Sequence, residues 1–255
     1  MNPIYFSSSV AFSGCGTLNF YQTGVAAALQ EYGIDPSTRF SGASAGSGLS
    51  VLLAQGTPAE QIAQVAIDIL RPYQYRNILS NPTILFEFAD RFLEHFITEN
   101  TLEKIGDRVF VSITTLNPLQ NLLVNEFHHT DDLCRAIRAS CHLPSFRKRS
   151  VLFRGYSCID GGFTNNNPIL DQNTLRVSPF FFEPQVDIYP STFVMPWWAI
   201  VVPPERRARN LFSLGLNDGR TYLSKRSVQK KPATQRKTSI LPFRNFGISP
   251  DESHR

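Results

Sequence analysis

The pentapeptide Gly42-Ala43-Ser44-Ala45-Gly46 constrains this chain more than any other feature. It directly follows the short apolar stretch Arg39-Phe40-Ser41. A serine flanked by small residues at a strand-to-helix junction fits a sharp, strained turn that exposes its hydroxyl. Small-residue turns also arise by chance, so the setting carries the weight. Gly14-Cys15-Gly16 precedes the pentapeptide, after the strand-like run Val10-Ala11-Phe12. Asp160-Gly161-Gly162 follows much later. In order, these segments suit an oxyanion-binding loop, a nucleophile and a base.

The pattern between the segments points to an α/β chain. A helix centred on Val25 to Leu29 and closed by Gly33 is expected after the first glycine loop. A second helix should run from Ser44 to Gly56. Strand, loop, helix, strand, turn, helix is the βαβ order of a parallel sheet. Thr57-Pro58-Ala59-Glu60 has the form of a capping box, opening a helix with Ile62, Val65, Ala66, Ile69 and Leu70 on one stripe. Leu85, Phe88, Phe92 and Phe96 form a further helical stripe, expected to be core. Arg108 to Thr114 and Asn121 to Phe127 suit an antiparallel hairpin turned by Asn117-Pro118. Thr130 opens another helix, and two short strands, Val151 to Phe153 and Tyr156 to Ile159, lead to Asp160. After Pro168 the pattern weakens. Phe193 to Val202 suits a buried strand, with interfacial contact through Trp197 and Trp198 as the other reading. A helix is expected from Pro204 to about Arg226. The domain is therefore expected to span 1–225.

Composition narrows the function classes. The net charge of +4 is concentrated at the end, where residues 226–255 carry seven Lys and Arg against Asp251 and Glu252. This basic tail is polar and expected to be disordered. The body has no basic stripe with interleaved aromatics, so nucleic acid is not an expected partner. Cys15, Cys134, Cys141 and Cys158 form no C-x-x-C pair or zinc spacing, so neither metal nor cofactor is expected. Reduced thiols fit a cytoplasmic setting. No run reaches the roughly 18–20 apolar residues of a spanning helix, and the first nine residues lack a signal-peptide pattern. The 20 phenylalanines should build a core, with some rings available to line an acyl-chain site.

Ester hydrolysis through an acyl-serine needs an exposed hydroxyl, a base and a site for the oxyanion. Ser44 meets the first need, with Gly42 and Gly46 removing side chains that would crowd the turn. Gly14, Cys15 and Gly16 meet the third through backbone amides. A histidine base in the order Ser, Asp, His is poorly supported, because only His254 follows Asp160 and it lies in the tail. Asp160 acting directly on Ser44 is the remaining reading, and a carboxylate base of this kind calls for desolvation. Gly161 and Gly162 would let its loop approach closely. His142 is expected to shape or support the site, and His128 and His129 to lie in a solvated turn. The rival nucleotide-loop reading is weak: Asn19 stands where a third glycine would be, and no phosphate-loop lysine follows.

Phe12 to Gly16, Tyr21 to Gly24, Gly42 to Gly46, Ala139 to Phe146 and Asp160 to Pro168 resemble the patatin-like phospholipase family. Arg176 to Phe180 and Asp187 to Pro190 resemble its adiponutrin-type branch in particular. The resemblance implies a three-layer α/β/α fold with a mostly parallel central sheet and a Ser44–Asp160 dyad. It also implies hydrolysis of acyl esters in triacylglycerol, phospholipid or retinyl ester, at membranes or lipid droplets bound peripherally. Asn19 replaces a family glycine, and the basic residue that patatins proper carry near Leu18 is absent, as in the adiponutrin branch. Asn19 and the basic tail motivate an alternative, a weakly active protein that binds lipid-droplet or membrane surfaces.

Overall fold

The computed structural model describes residues 8–144 and 149–229, with side chains to Arg226. Phe146, His254 and the basic tail beyond Gln229 lie outside the described residues.

Four parallel strands form the centre. β1 (Ser9–Phe12) lies between β7 (Leu175–Val177) and β2 (Arg39–Ala43), and β2 pairs with the first half of β3 (Val109–Leu116). β4 (Leu119–Val124) folds back antiparallel along β3, the expected hairpin at a sheet edge. β6 (Tyr156–Asp160) is antiparallel to the second half of β3, and β5 (Val151–Phe153) is antiparallel to β6. Five of the seven strands thus share one direction.

The register on β3 positions the site. β4 occupies one edge of β3 from Val111 to Leu116, so β2 and β6 share the other. β2 ends with Ala43 opposite Ser112, and β6 ends with Asp160 opposite Ile113. Two strands of opposite direction therefore stop head to head on consecutive residues. Distant parts of the chain are brought to one point by this arrangement.

The helices cover the sheet to give the α/β/α order. α1 (Asn19–Tyr32) links β1 to β2 and is buried from Phe20 to Leu29. α7 (Glu205–Gln229) lies across it. Their axes approach so closely that a Cβ on Gly24 would stand 2.0 Å from the Phe212 carbonyl oxygen, and one on Gly215 1.9 Å from that of Tyr21. Between β2 and β3 come α2 (Ala45–Ala54), α3 (Ala59–Leu70), α4 (Thr83–Phe96) and the short α5 (Thr101–Ile105). α6 (Thr130–Ser140) packs on β3, β5 and β6. The core is continuous, with Phe12, Phe40, Leu49, Leu52 and Ile113 buried.

Two expectations change, and a third gains a detail. The capping box at Thr57 does not form, because α3 begins at Ala59 with extended Pro58 at its cap. Gln30 of α1 caps it instead: its Oε1 accepts from Ala59 N (2.9 Å), and its Nε2 donates to the Thr57 carbonyl (2.8 Å). A neighbouring helix thus supplies the acceptor that the local sequence was expected to supply. The stretch Phe193 to Val202 is no buried strand; Pro196–Ile200 forms a 3-10 turn with Trp197 exposed. Its Pro196 cannot donate to a ladder. At the start of α6, His129 is a cap: its Nδ1 accepts from Asp132 N at 3.0 Å.

Candidate active site

Ser44 sits between β2 and α2 with φ 51° and ψ −128°. A side chain rarely adopts such a backbone, and it persists only where the surroundings hold it. Ser140 supplies part of that hold. Its Oγ accepts from Ser44 N at 2.8 Å and donates to the Ser112 carbonyl at 2.7 Å, tying the turn to α6 and β3. Gly42 and Gly46 face each other across the turn, where a Cβ on Gly42 would lie 2.3 Å from the Gly46 carbonyl oxygen.

Asp160 arrives at the end of β6 and is buried. Its carboxylate accepts hydrogen bonds from the Ser44 hydroxyl and, at 2.8 Å, from Gly162 N. Its own N–H donates to the His142 carbonyl at 2.8 Å. Burial is the main influence on its acidity and raises its pKa from 3.8 to about 6, against the lowering effect of the bonds from Ser44 and Gly162. The carboxylate is thus ionised at neutral pH yet more basic than a solvated aspartate. Gly161 packs against the Ser112 backbone, so the Asp160 loop lies directly on β3.

The Gly14–Gly16 loop leaves β1 beside the turn. Phe12 pairs with Gly42, which puts Gly14 level with Ser44. A Cβ on Gly14 would stand 2.9 Å from Ser44 Cβ and 2.7 Å from Asn166 Oδ1. The Gly14 N–H donates to the Asn166 carbonyl at 3.1 Å. Gly16 has φ 53° and abuts the Ala199 carbonyl, with Cys15 buried between the two glycines. Gln22 braces the loop, its Oε1 accepting from Ser13 N and its Nε2 donating to the Ser13 carbonyl. Asn19 begins α1, and its Oδ1 accepts from Gln22 Nε2 at 3.2 Å.

The three segments open onto a cavity of about 350 Å³. Its wall is dominated by apolar side chains, including Ile62, Leu85, Phe88, Phe92 and Phe180. The α4 stripe is therefore partly cavity wall as well as core. Cys141 also lines the cavity, its thiol against Ser44 and Ser47 and pushed up to about 12, chiefly by burial. Burial likewise raises the Cys15 thiol well above its ordinary value. Both thiols are protonated at neutral pH. The four cysteines are free, and among the described residues no His, Cys, Asp and Glu cluster could hold a metal ion.

Sequence reasoning placed Ser44, Asp160 and the glycines at one point, and the fold brings them together. It missed Ser140 and Gln22, which hold that geometry through side-chain bonds to backbone, and Asn166, whose carbonyl accepts from Gly14 N while its side chain donates to Glu183. Asn166 and Ser140 stand within the segments that resemble the family, but nothing local marks them. His142 supports the site through its carbonyl while its ring stacks on Phe86.

A family model described as Patatin-like phospholipase matches residues 10–171. The mouse (Mus musculus) protein 1-acylglycerol-3-phosphate O-acyltransferase Pnpla3 is 33% identical over 182 residues, covering 69% of this chain and 44% of that protein. The human (Homo sapiens) Omega-hydroxyceramide transacylase is 30% identical over 172 residues, 63% of this chain and 31% of that protein. Human Patatin-like phospholipase domain-containing protein 4 is 29% identical over 245 residues, 85% of this chain and 96% of that protein. This chain spans less than half the length of the first two relatives. A match that runs from β1 past the Asp160 loop, through more than half of the chain, makes this protein a member of the patatin-like phospholipase family, in its adiponutrin-type branch.

Proposed function

We propose that the protein is a serine acyl hydrolase that cleaves carboxylic esters of lipids, with Ser44 as nucleophile and Asp160 as base. The observation that carries this reading is the hydrogen bond from a strained, turn-exposed serine to a buried carboxylate raised to about 6. In the proposed reaction Asp160 takes the Ser44 proton as Oγ attacks the ester carbonyl. The tetrahedral oxyanion sits on the amides of Cys15 and Gly16, since the Gly14 amide is held by Asn166. Collapse breaks the C–O bond of the ester, and the proton on Asp160 leaves with the alcohol. Water repeats the sequence on the acyl-serine to release the fatty acid.

Triacylglycerol, phospholipid and retinyl ester are the substrate classes proposed, because the apolar cavity suits an acyl chain. The names of the mouse and human relatives, an acyltransferase and a transacylase, favour a second outcome of the same acyl-serine. An alcohol in place of water would give acyl transfer with the same residues. The site of action proposed is a lipid surface reached peripherally from the cytoplasm.

The test is fatty-acid release from dispersed triacylglycerol and phospholipid, with a fluorophosphonate probe to identify the labelled residue. Ser44→Ala should abolish labelling and lower turnover by on the order of 10⁴-fold or more. Unchanged turnover, or a label on another residue, would refute the assignment.

A further inference from the structure

The cavity mouth is bordered by side chains that the hydrolytic chemistry does not use. Tyr75, Leu79, Phe181, Phe182, Phe193 and Trp197 are each more than half exposed. They are not scattered. Phe180, in the cavity wall, stacks on Phe182 at 5.3 Å; Phe182 meets Phe181 at 5.4 Å, and Phe181 meets Phe193 at 5.5 Å. Phe193 then shares a surface groove with Tyr75, Trp198, Arg206 and Arg207. The groove returns to the cavity through the 3-10 turn, whose Ala199 and Ile200 line it. Aromatic surface thus runs from the acyl cavity out over its rim and back.

Backbone bonds tie the Tyr75–Ile78 segment to the end of the 3-10 turn. Tyr75 N donates to the Val202 carbonyl and Ile78 N to that of Ile200, each at 2.8 Å, and Val202 N donates to the Arg76 carbonyl at 3.0 Å. Tyr75 is held at φ 67°, a conformation costly for a bulky residue, and its ring is 70% exposed. The cations on this side are not neutralised. Arg76, Arg206 and Arg207 make no ion pair among the described residues, while Glu205 is taken by Arg71 and Arg209. Arg207 lies over the Trp198 ring at 4.2 Å. Exposed aromatics interleaved with unpaired arginines, around the opening of an apolar cavity, match an anionic lipid–water interface: the rings suit the headgroup boundary and the arginines suit lipid phosphate.

We infer that the Tyr75–Leu79 and Phe181–Trp197 rim is the face by which the protein docks on an anionic lipid surface, mouth downward. This deepens the acyl-hydrolase reading and rests on it only for the cavity's being the ester's destination. Docking so oriented lets an acyl chain pass from lipid to cavity along an unbroken apolar path. A spanning segment is not needed for this, and no described helix is long and apolar enough to cross a membrane.

The test uses the full chain, so that its basic tail contributes equally to every variant. Cosedimentation is measured with vesicles of phosphatidylcholine alone and of phosphatidylcholine with phosphatidylserine. Phe181→Ser with Phe193→Ser should lower partitioning at least about tenfold on both vesicle types. Arg76→Gln with Arg206→Gln should lower it about fivefold per charge on the anionic vesicles and leave the neutral ones unchanged. Both pairs change exposed side chains, so melting and hydrolysis of the water-soluble ester p-nitrophenyl butyrate should match wild type. Wild-type partitioning by the aromatic pair overturns the inference. So does size-exclusion evidence of a dimer that this pair dissolves, since the face would then seat a second copy. Vesicle binding by Ser44→Ala equal to wild type supports it. If wild type binds vesicles through this rim but hydrolyses no ester, the enzyme reading fails and the surface stands. If it hydrolyses the soluble ester but binds no vesicle, the surface fails and the enzyme stands.

Discussion

The corner around Ser44 and the rim around Phe181 and Trp197 border one cavity, and they are built by opposite rules. The corner is glycine, buried carbonyl and short hydrogen bonds, with backbone against backbone at Gly42, Gly46 and Gly161. The rim is exposed aromatic rings on irregular backbone. Strand ends fix atoms within tenths of an ångström, which acyl chemistry requires, whereas a lipid surface offers no fixed partner and rewards area alone. A change of one carbon should therefore be severe at the corner and small at the rim.

The sharpest way to break this contrast is Asp160→Asn. The amide still accepts from Gly162 N but cannot take the Ser44 proton, so turnover on the soluble ester should fall by on the order of 10³-fold or more. Wild-type turnover should rise with pH through about 6 and then level, since only the carboxylate accepts a proton. Stability should move the other way. Burial raises the Asp160 pKa above its unfolded value, so its protonated form stabilises the fold fully below about pH 4, and that contribution is lost as pH rises through about 6. Above this window the buried charge costs up to about 3 kcal/mol. Asp160→Asn should thus melt several degrees above wild type at pH 8 and show a flatter melting profile between pH 4 and 6. A variant that melts lower at pH 8 would contradict the desolvation account.

Gly14→Ala adds one carbon at the corner, 2.9 Å from Ser44 Cβ and 3.3 Å from the Ala43 carbonyl oxygen. It should reduce soluble-ester turnover about a hundredfold and cost about 1–3 kcal/mol by denaturant melting. Leu79→Ala removes three carbons at the rim and should leave both quantities within error. Equal effects would dissolve the contrast.

The smallest expected effect reads the strain itself. Ser44→Gly should be more stable than Ser44→Ala by about 1 kcal/mol, because glycine occupies φ 51° without penalty. Equal stability would show that the turn stores no strain.

Much of this was legible in the chain because local chemistry encodes it. Gly33 ended α1, the hairpin of β3 and β4 followed its turn, and the glycine-flanked Ser44 and Asp160 announced themselves. The failures share a cause. Thr57 was expected to cap α3, but Gln30 from another helix reached the vacant donor. Phe193 to Val202 was expected as a buried strand from its hydrophobicity, but Pro196 breaks it into a 3-10 turn that buries Val194 and Val202 and leaves Phe193 and Trp197 exposed. β7 has three residues, too few for any period to show.

The sequence by itself determined which residue types could carry acyl chemistry, and that the strands and helices holding them alternate as βαβ. Those are properties of short windows, where propensity and spacing act. Only the tertiary structure decided that Ala43 and Asp160 meet on consecutive residues of β3, that Ser140, Asn166 and Gln22 clamp the meeting, and that the aromatic segments after Pro179 surround its mouth. Each of these joins residues far apart in the chain, and such contacts are set by how whole layers pack rather than by any local pattern.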